Sequence, residues 1–173
     1  MPSLDALAGW ESAVLASLRG AKGTIEERDR QITRAGLYAE YPAIVRSYLE
    51  LLADDRSAVE ALKRAVFIVW FSTVEPSPNS GISEIPEGVV REVMQALDAR
   101  ARTSGLDDEF VSMLAWYRSI LPAAFDVYGA DETTNAATVG VRHDDWRDRF
   151  APAQFSNRGQ LGTYWQSLLA RTK

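Results

Sequence analysis

SAVEALKRAVFIVWFSTVEP, residues 57–76, decides how the chain is read. At its centre stand seven consecutive apolar residues, Ala65 to Phe71, the longest such run in the sequence. Val66 to Phe71 alone would suit a buried strand, and periodicity cannot decide so short a run. The flanks favour a helix. Ser57-Ala-Val-Glu60 has the form of a capping box, with Ser57 at the N-cap and Glu60 reaching back. Glu60 to Ala65 are all good helix formers, and no turn residue separates them from the apolar run. Pro76 marks the end, since a residue before proline is pushed out of the α region. A helix apolar on every side belongs inside a core. Lys63 and Arg64 are expected near its entrance, with everything from Val66 onward enclosed.

The flanking segments read as further helices. Leu4, Leu7, Val14, Leu15 and Leu18 give a first helix one broad apolar face, with Trp10 near its edge, and Gly20 and Gly23 end it. Thr24-Ile-Glu-Glu27 has the form of a second capping box. Pro42 opens a third helix with a stripe through Ile44, Val45, Tyr48, Leu49 and Leu52. Residues 75–86, EPSPNSGISEIP, form a stiff surface loop. Val89, Val90, Val93, Met94, Leu97 and Ala101 make the next stripe, with acids early and arginines late as the helix dipole prefers. Asp107-Asp-Glu109 opens a helix that Pro122 breaks, and residues 123–128 add a short piece. Residues 129–141 lack an apolar stripe and are rich in Thr, Asn and Ala. They read as a long loop, the least ordered internal segment. His143 to Phe150 is one or two turns. Asn157-Arg-Gly-Gln160 caps a last helix with Leu161, Tyr164, Trp165, Leu168 and Leu169 facing inward.

The fold expected is therefore all-α: a single helical domain, residues 1–173, of about seven helices around the buried central helix 57–73. The 173 residues suffice for a core without staples, and the 46% hydrophobic, 25% charged balance is that of an ordinary globular protein. No repeat of solenoid period is visible.

Composition also bounds function. The chain has no cysteine and one histidine, His143, which excludes thiolate sites and any site needing two imidazoles. The net charge of −5 argues against nucleic acid and anionic membranes as partners. No secretory signal and no apolar run of spanning length is seen, so the expected location is the cytoplasm. His143-Asp144-Asp145 is the one imidazole–carboxylate cluster, but Asp144 or Asp145 is more simply the N-cap of the turn carrying Trp146. Asp107, Asp108 and Glu109 likewise satisfy a helix start. No metal site, cofactor motif or catalytic signature is present.

The less ordinary residues are aromatic or misplaced in charge. Trp116, Tyr117 and Tyr164 bring large apolar bodies with polar tips, which suit pockets and interfaces as well as cores. Glu75 lies at the C-terminal end of the central helix and Arg158 at the start of the last one, each against its helix dipole. The two are expected to pair. Gly162 is expected to receive a large side chain from the Met113–Tyr117 turn. Two functions fit. One is a non-enzymatic protein-binding module, an inhibitor or immunity-type protein by analogy of size and charge, whose partner is another protein. The other is a small-molecule-binding protein or enzyme with a pocket between helices, with Glu75 or Arg158 as polar anchor. A concave pocket with converging polar groups would favour the second.

Overall fold

The computed structural model describes residues 2–103, 105–126 and 131–171. They form α1 (Leu4–Gly20), α2 (Ile25–Arg34), α3 (Glu40–Glu50), α4 (Ala58–Val74), α5 (Ser77–Ser80), α6 (Glu87–Thr103), α7 (Asp108–Ile120), α8 (Ala123–Asp126), α9 (Asp131–Thr138), α10 (Trp146–Arg149) and α11 (Gly159–Ala170), with no strand among the described residues. Seven of these helices have ten or more residues, and the rest are short connecting pieces. No helix among the described residues is long and apolar enough to cross a membrane.

α4 is the centre. Ala65, Val66, Phe67, Ile68 and Trp70 are all at most 1% exposed, while Phe71 is half-buried at the edge. Helices α3, α6 and α11 pack around it. The Phe67 ring lies 5.0 Å from Phe71 and 5.4 Å from Tyr164, and Trp70 stacks on Tyr117 at 4.3 Å. Aromatic residues of α4, α7 and α11 thus make one continuous cluster.

Several starts follow the sequence closely. Ser3 accepts from the Ala6 amide, Thr24 and Glu27 make a reciprocal capping box, and Asp107 accepts from the Phe110 amide. The expected box at Ser57 does not form. Ser57 Oγ donates to Asp54 Oδ2 at 2.9 Å, and Glu60 is drawn into ion pairs instead. Pro42 stands third in α3, inside its first turn, where a missing N–H costs nothing.

Residues 129–141 depart further from the expectation of a loop. Residues 129 and 130 lie outside the described residues, but Asp131–Thr138 is helical. The cause is tertiary. α9 packs against α6 and α7, Thr134 is wholly buried, and Arg118 of α7 donates to Thr134 Oγ1 at 2.9 Å. Docking of polar side chains replaces the missing apolar stripe. Residues 127 and 128, expected to extend α8, also lie outside the described residues. The stretch 75–86 is less superficial than expected: it contains α5, and Ser80 and Ile82 are buried. Asp145 takes the N-cap position of α10 without a side-chain bond, and Asp144 pairs with Arg142.

Candidate functional site

The last helix, α11, is tied down by buried charge before it presents anything. Arg158, immediately preceding it, donates to Glu60 through Nε at 2.7 Å and to Glu109 through Nη2 at 2.8 Å. Lys63 reaches the same Glu109 and also Asp107, both at 2.8 Å. Arg64 pairs with Glu60 and donates to the Leu4 carbonyl at 3.1 Å. Lys63 and Arg64 therefore lie in the interior, not at an entrance, each no more than 6% exposed. Burial raises the Glu109 carboxyl, but hydrogen bonds from Arg158 and Lys63 outweigh it and hold the group down at about 2. The expected Glu75–Arg158 pair is absent: Glu75 accepts from Asn79 Nδ2 at 2.9 Å, and both acids facing Arg158 come from elsewhere.

A second buried acid answers the helix start itself. Glu11 of α1, 1% exposed, accepts from the Gln160 amide at 2.7 Å and from the Tyr48 hydroxyl. It caps α11 from another helix, because Arg158 at the N-cap offers no acceptor. Burial pushes the Glu11 carboxyl up to about 6, against the lowering effect of those two bonds. The tight approach explains Gly159: its φ is +58°, and a Cβ there would fall 2.4 Å from Glu11 Oε1. Gly162 is also tightly enclosed, but by backbone: a Cβ would lie 2.2 Å from the Phe155 carbonyl oxygen, not against a side chain of α7.

Thus anchored, α11 lays one stripe along a cleft. Gln160, Tyr164, Ser167 and Arg171, spaced three to four apart, line a cleft of about 380 Å³ with Thr163 and Leu168 between them. Leu15, Leu18 and Arg19 of α1 form a second wall, and Phe71 and Glu75 close it from the end of α4. Arg28 of α2 enters from the side, but its donors are committed to Asn79 Oδ1 at 3.0 Å and the Pro78 carbonyl at 2.7 Å. Arg19 and Arg171 have no charged or side-chain hydrogen-bond partner among the described residues. Gln160 is 4% exposed. Its Nε2 donates to the Ser80 carbonyl at 3.0 Å, which fixes the amide orientation and leaves Oε1 buried without a partner among the described residues.

Of the five residues singled out in the sequence, the structure brings Glu75 and Tyr164 together at this cleft. Trp116 stands behind it, donating Nε1 to the Tyr164 hydroxyl at 2.8 Å. Tyr117 is fully enclosed and accepts from Trp165 Nε1 at 3.0 Å. Arg158 serves the ionic cluster. Sequence reasoning missed Gln160, Arg19 and Arg171. The periodic polar stripe of α11 carried the first and third, but it reads like any solvated helix face.

A larger depression, about 1290 Å³, opens between the end of α4 and α6 and is lined by Ser72, Thr73, Ser83 and Gln95 among others. It exceeds the usual size of ligand sites, and its Arg91 and Glu87 already satisfy each other at 2.6 Å. Among the described residues no group of three or more His, Cys, Asp or Glu side chains is placed to hold a metal ion. No protein-family model, no curated protein and no solved structure matches the chain.

Proposed function

We propose that the chain is a binding protein for a small organic molecule, held in the cleft along α11. The observation that carries the reading is a concave cleft of ligand size, about 380 Å³, into which Arg19 and Arg171 bring two guanidinium groups without a charged partner among the described residues. The apolar walls of Leu15, Leu18 and Phe71, with a few charged groups around them, resemble the usual composition of such sites. The protein-binding alternative has less to support it: the large exposed apolar side chains Trp10, Ile25, Ile120 and Val139 sit on four different segments. The absence of cysteine suits a reducing cytoplasm.

The test is amide chemical-shift mapping of isotopically labelled protein against a diverse set of small polar and amphipathic compounds. Shifts should concentrate at Gln160, Thr163, Tyr164, Ser167 and Glu75. No response, or shifts confined to the depression around Ser83 and Gln95, would overturn the reading.

A further inference from the structure

The charges lining the cleft narrow the ligand, given that the cleft is a ligand site. Three arginines line it, Arg19, Arg28 and Arg171, against one acid, Glu75. This positive excess stands in a chain whose net charge is −5. Arg28 and Glu75 are already joined. Asn79 accepts from Arg28 through Oδ1 at 3.0 Å and donates to Glu75 through Nδ2 at 2.9 Å, so one neutral amide links the acid to its cation. Arg19 and Arg171 remain, with no charged partner among the described residues. Each stands at a helix end, Arg19 in the last turn of α1 and Arg171 at the C-cap of α11. A helix C-terminus supplies the equivalent of roughly half a negative charge. Two guanidinium groups against two such ends leave an excess of about one positive unit.

Beside this charge the cleft offers apolar surface. Leu15, Phe71, Tyr164 and Leu168 pack against the core, yet each is only half-buried and lines the cleft. The charge and the apolar surface meet at Tyr164. Burial raises its phenol, while the hydrogen bond from Trp116 and the nearby Arg171 charge oppose that rise. We infer that the ligand is a small amphipathic carboxylate with one negative charge, its aryl or branched alkyl body lying on these four side chains.

Other charge types fit less well. A cation meets the positive excess directly. A neutral ligand covers the two arginines without answering their charge. A zwitterion has no free acid for its positive end, because Glu75 is tied to Arg28 through Asn79. An inorganic anion leaves the apolar surface uncovered. The preference comes from summed charge: both arginines line the same cleft and act on its occupant through space, whether or not both touch it. The cleft volume of about 380 Å³ lies toward the small end of ligand sites, which suits a ring or branched chain with one short acid arm.

The experiment is calorimetric titration of the full chain, at low and high salt, with phenylpropionate, its amide, phenylpropylamine and acetate. The same titrations are run on Glu75→Gln and on the Arg19→Ala/Arg171→Ala double variant. Both arginines are exposed, so the double variant should melt like the parent. Phenylpropionate should bind best, about fivefold or more tighter than its amide, since exposed charges act through solvent. Acetate and the amine should be weaker than either, and added salt should narrow the gap between acid and amide. The gap should vanish in the arginine variant while binding of the amide stays the same. Glu75→Gln, which frees Arg28 from its acid, should tighten phenylpropionate about twofold and leave the amide unchanged. Equal or tighter binding of the amide or the amine would overturn the carboxylate assignment. So would a gap that survives in the arginine variant, or no binding of phenylpropionate. In each case the chemical-shift mapping described above judges the cleft independently, because its compounds are not chosen by charge.

Discussion

Arg158 grips Glu60 with two donors, Nε at 2.7 Å and Nη2 at 2.5 Å, across 98 positions of sequence. The contact fastens α11 to the first turn of α4. It also leaves neither charge stranded in a region where one alone would be costly. Arg158→Ala should cost about 3 kcal/mol in urea unfolding, since it exposes Glu60 and Glu109 to each other without their shared cation. A double-mutant cycle with Glu60→Ala should return a coupling of about 1–3 kcal/mol. The same cycle with Glu75→Ala should return about zero, because Glu75 belongs to the Asn79 contact.

The two buried acids give opposite pH dependences. Glu109 is held down at about 2 against the usual 4.5, so it contributes stability that is complete above 4.5 and is lost as pH falls toward 2. Glu11 is raised from 4.5 to about 6, so the native state holds its proton more tightly than the unfolded state does. Its contribution is complete below 4.5 and is lost as pH rises through 6. For Glu11 the difference between 6 and 4.5 corresponds to about 2 kcal/mol. Unfolding midpoints measured from pH 3 to 7 should therefore fall less steeply above pH 4.5 in Glu11→Gln, and rise less steeply below it in Glu109→Gln. Parallel profiles for parent and variants would contradict this assignment.

Glycines separate into those the packing requires and those it does not. A Cβ on Gly162 would meet the Phe155 carbonyl at 2.2 Å, and this is backbone that cannot swing aside. Gly162→Ala should destabilise on the order of 3 kcal/mol, the upper end of overpacking. Gly9, inside α1, has nothing within 4 Å of the added atom. Gly9→Ala should stabilise by roughly 0.5–1 kcal/mol through helix propensity. Thermal unfolding of the two variants reads both signs.

Phe67 tests the centre of the fold. It is wholly buried and its ring meets those of Trp70, Phe71, Tyr117 and Tyr164. Phe67→Ala should cost about 3–5 kcal/mol by the same unfolding measurement. A cost below 1 kcal/mol would mean that this ring cluster is not the core.

The helices were legible wherever an apolar stripe met a cap, as at Thr24 and Asp107, and α4 was legible from its unbroken apolar run. α9 was not, because its stability lies in Thr134 and Asn135 meeting Arg118, a contact between segments that local propensity does not register. The charged residues show the same limit. Glu60 and Glu109 each satisfied a local rule for helix starts, and those rules concealed a longer-range duty toward Arg158. Arg158 and Glu75 do carry charge against their helix ends, at the N-cap of α11 and the C-cap of α4, but two such anomalies need not answer each other. The answer to Arg158 came from two acids that looked unremarkable. Of the cleft, Glu75 and Tyr164 were visible by residue type. Gln160 was not, since its place is set by Glu11 and the Ser80 carbonyl, contacts between segments distant in sequence.

The central claim is that the cleft along α11 takes a small ligand. Its most direct test is capture of metabolites on immobilised protein, with mass spectrometry of what is released, comparing the parent chain with the Arg19→Ala/Arg171→Ala variant. The account predicts a small molecule enriched on the parent and lost on the variant, while both retain the same thermal unfolding temperature. Enrichment of the same compounds on both, or no compound on either, would contradict it.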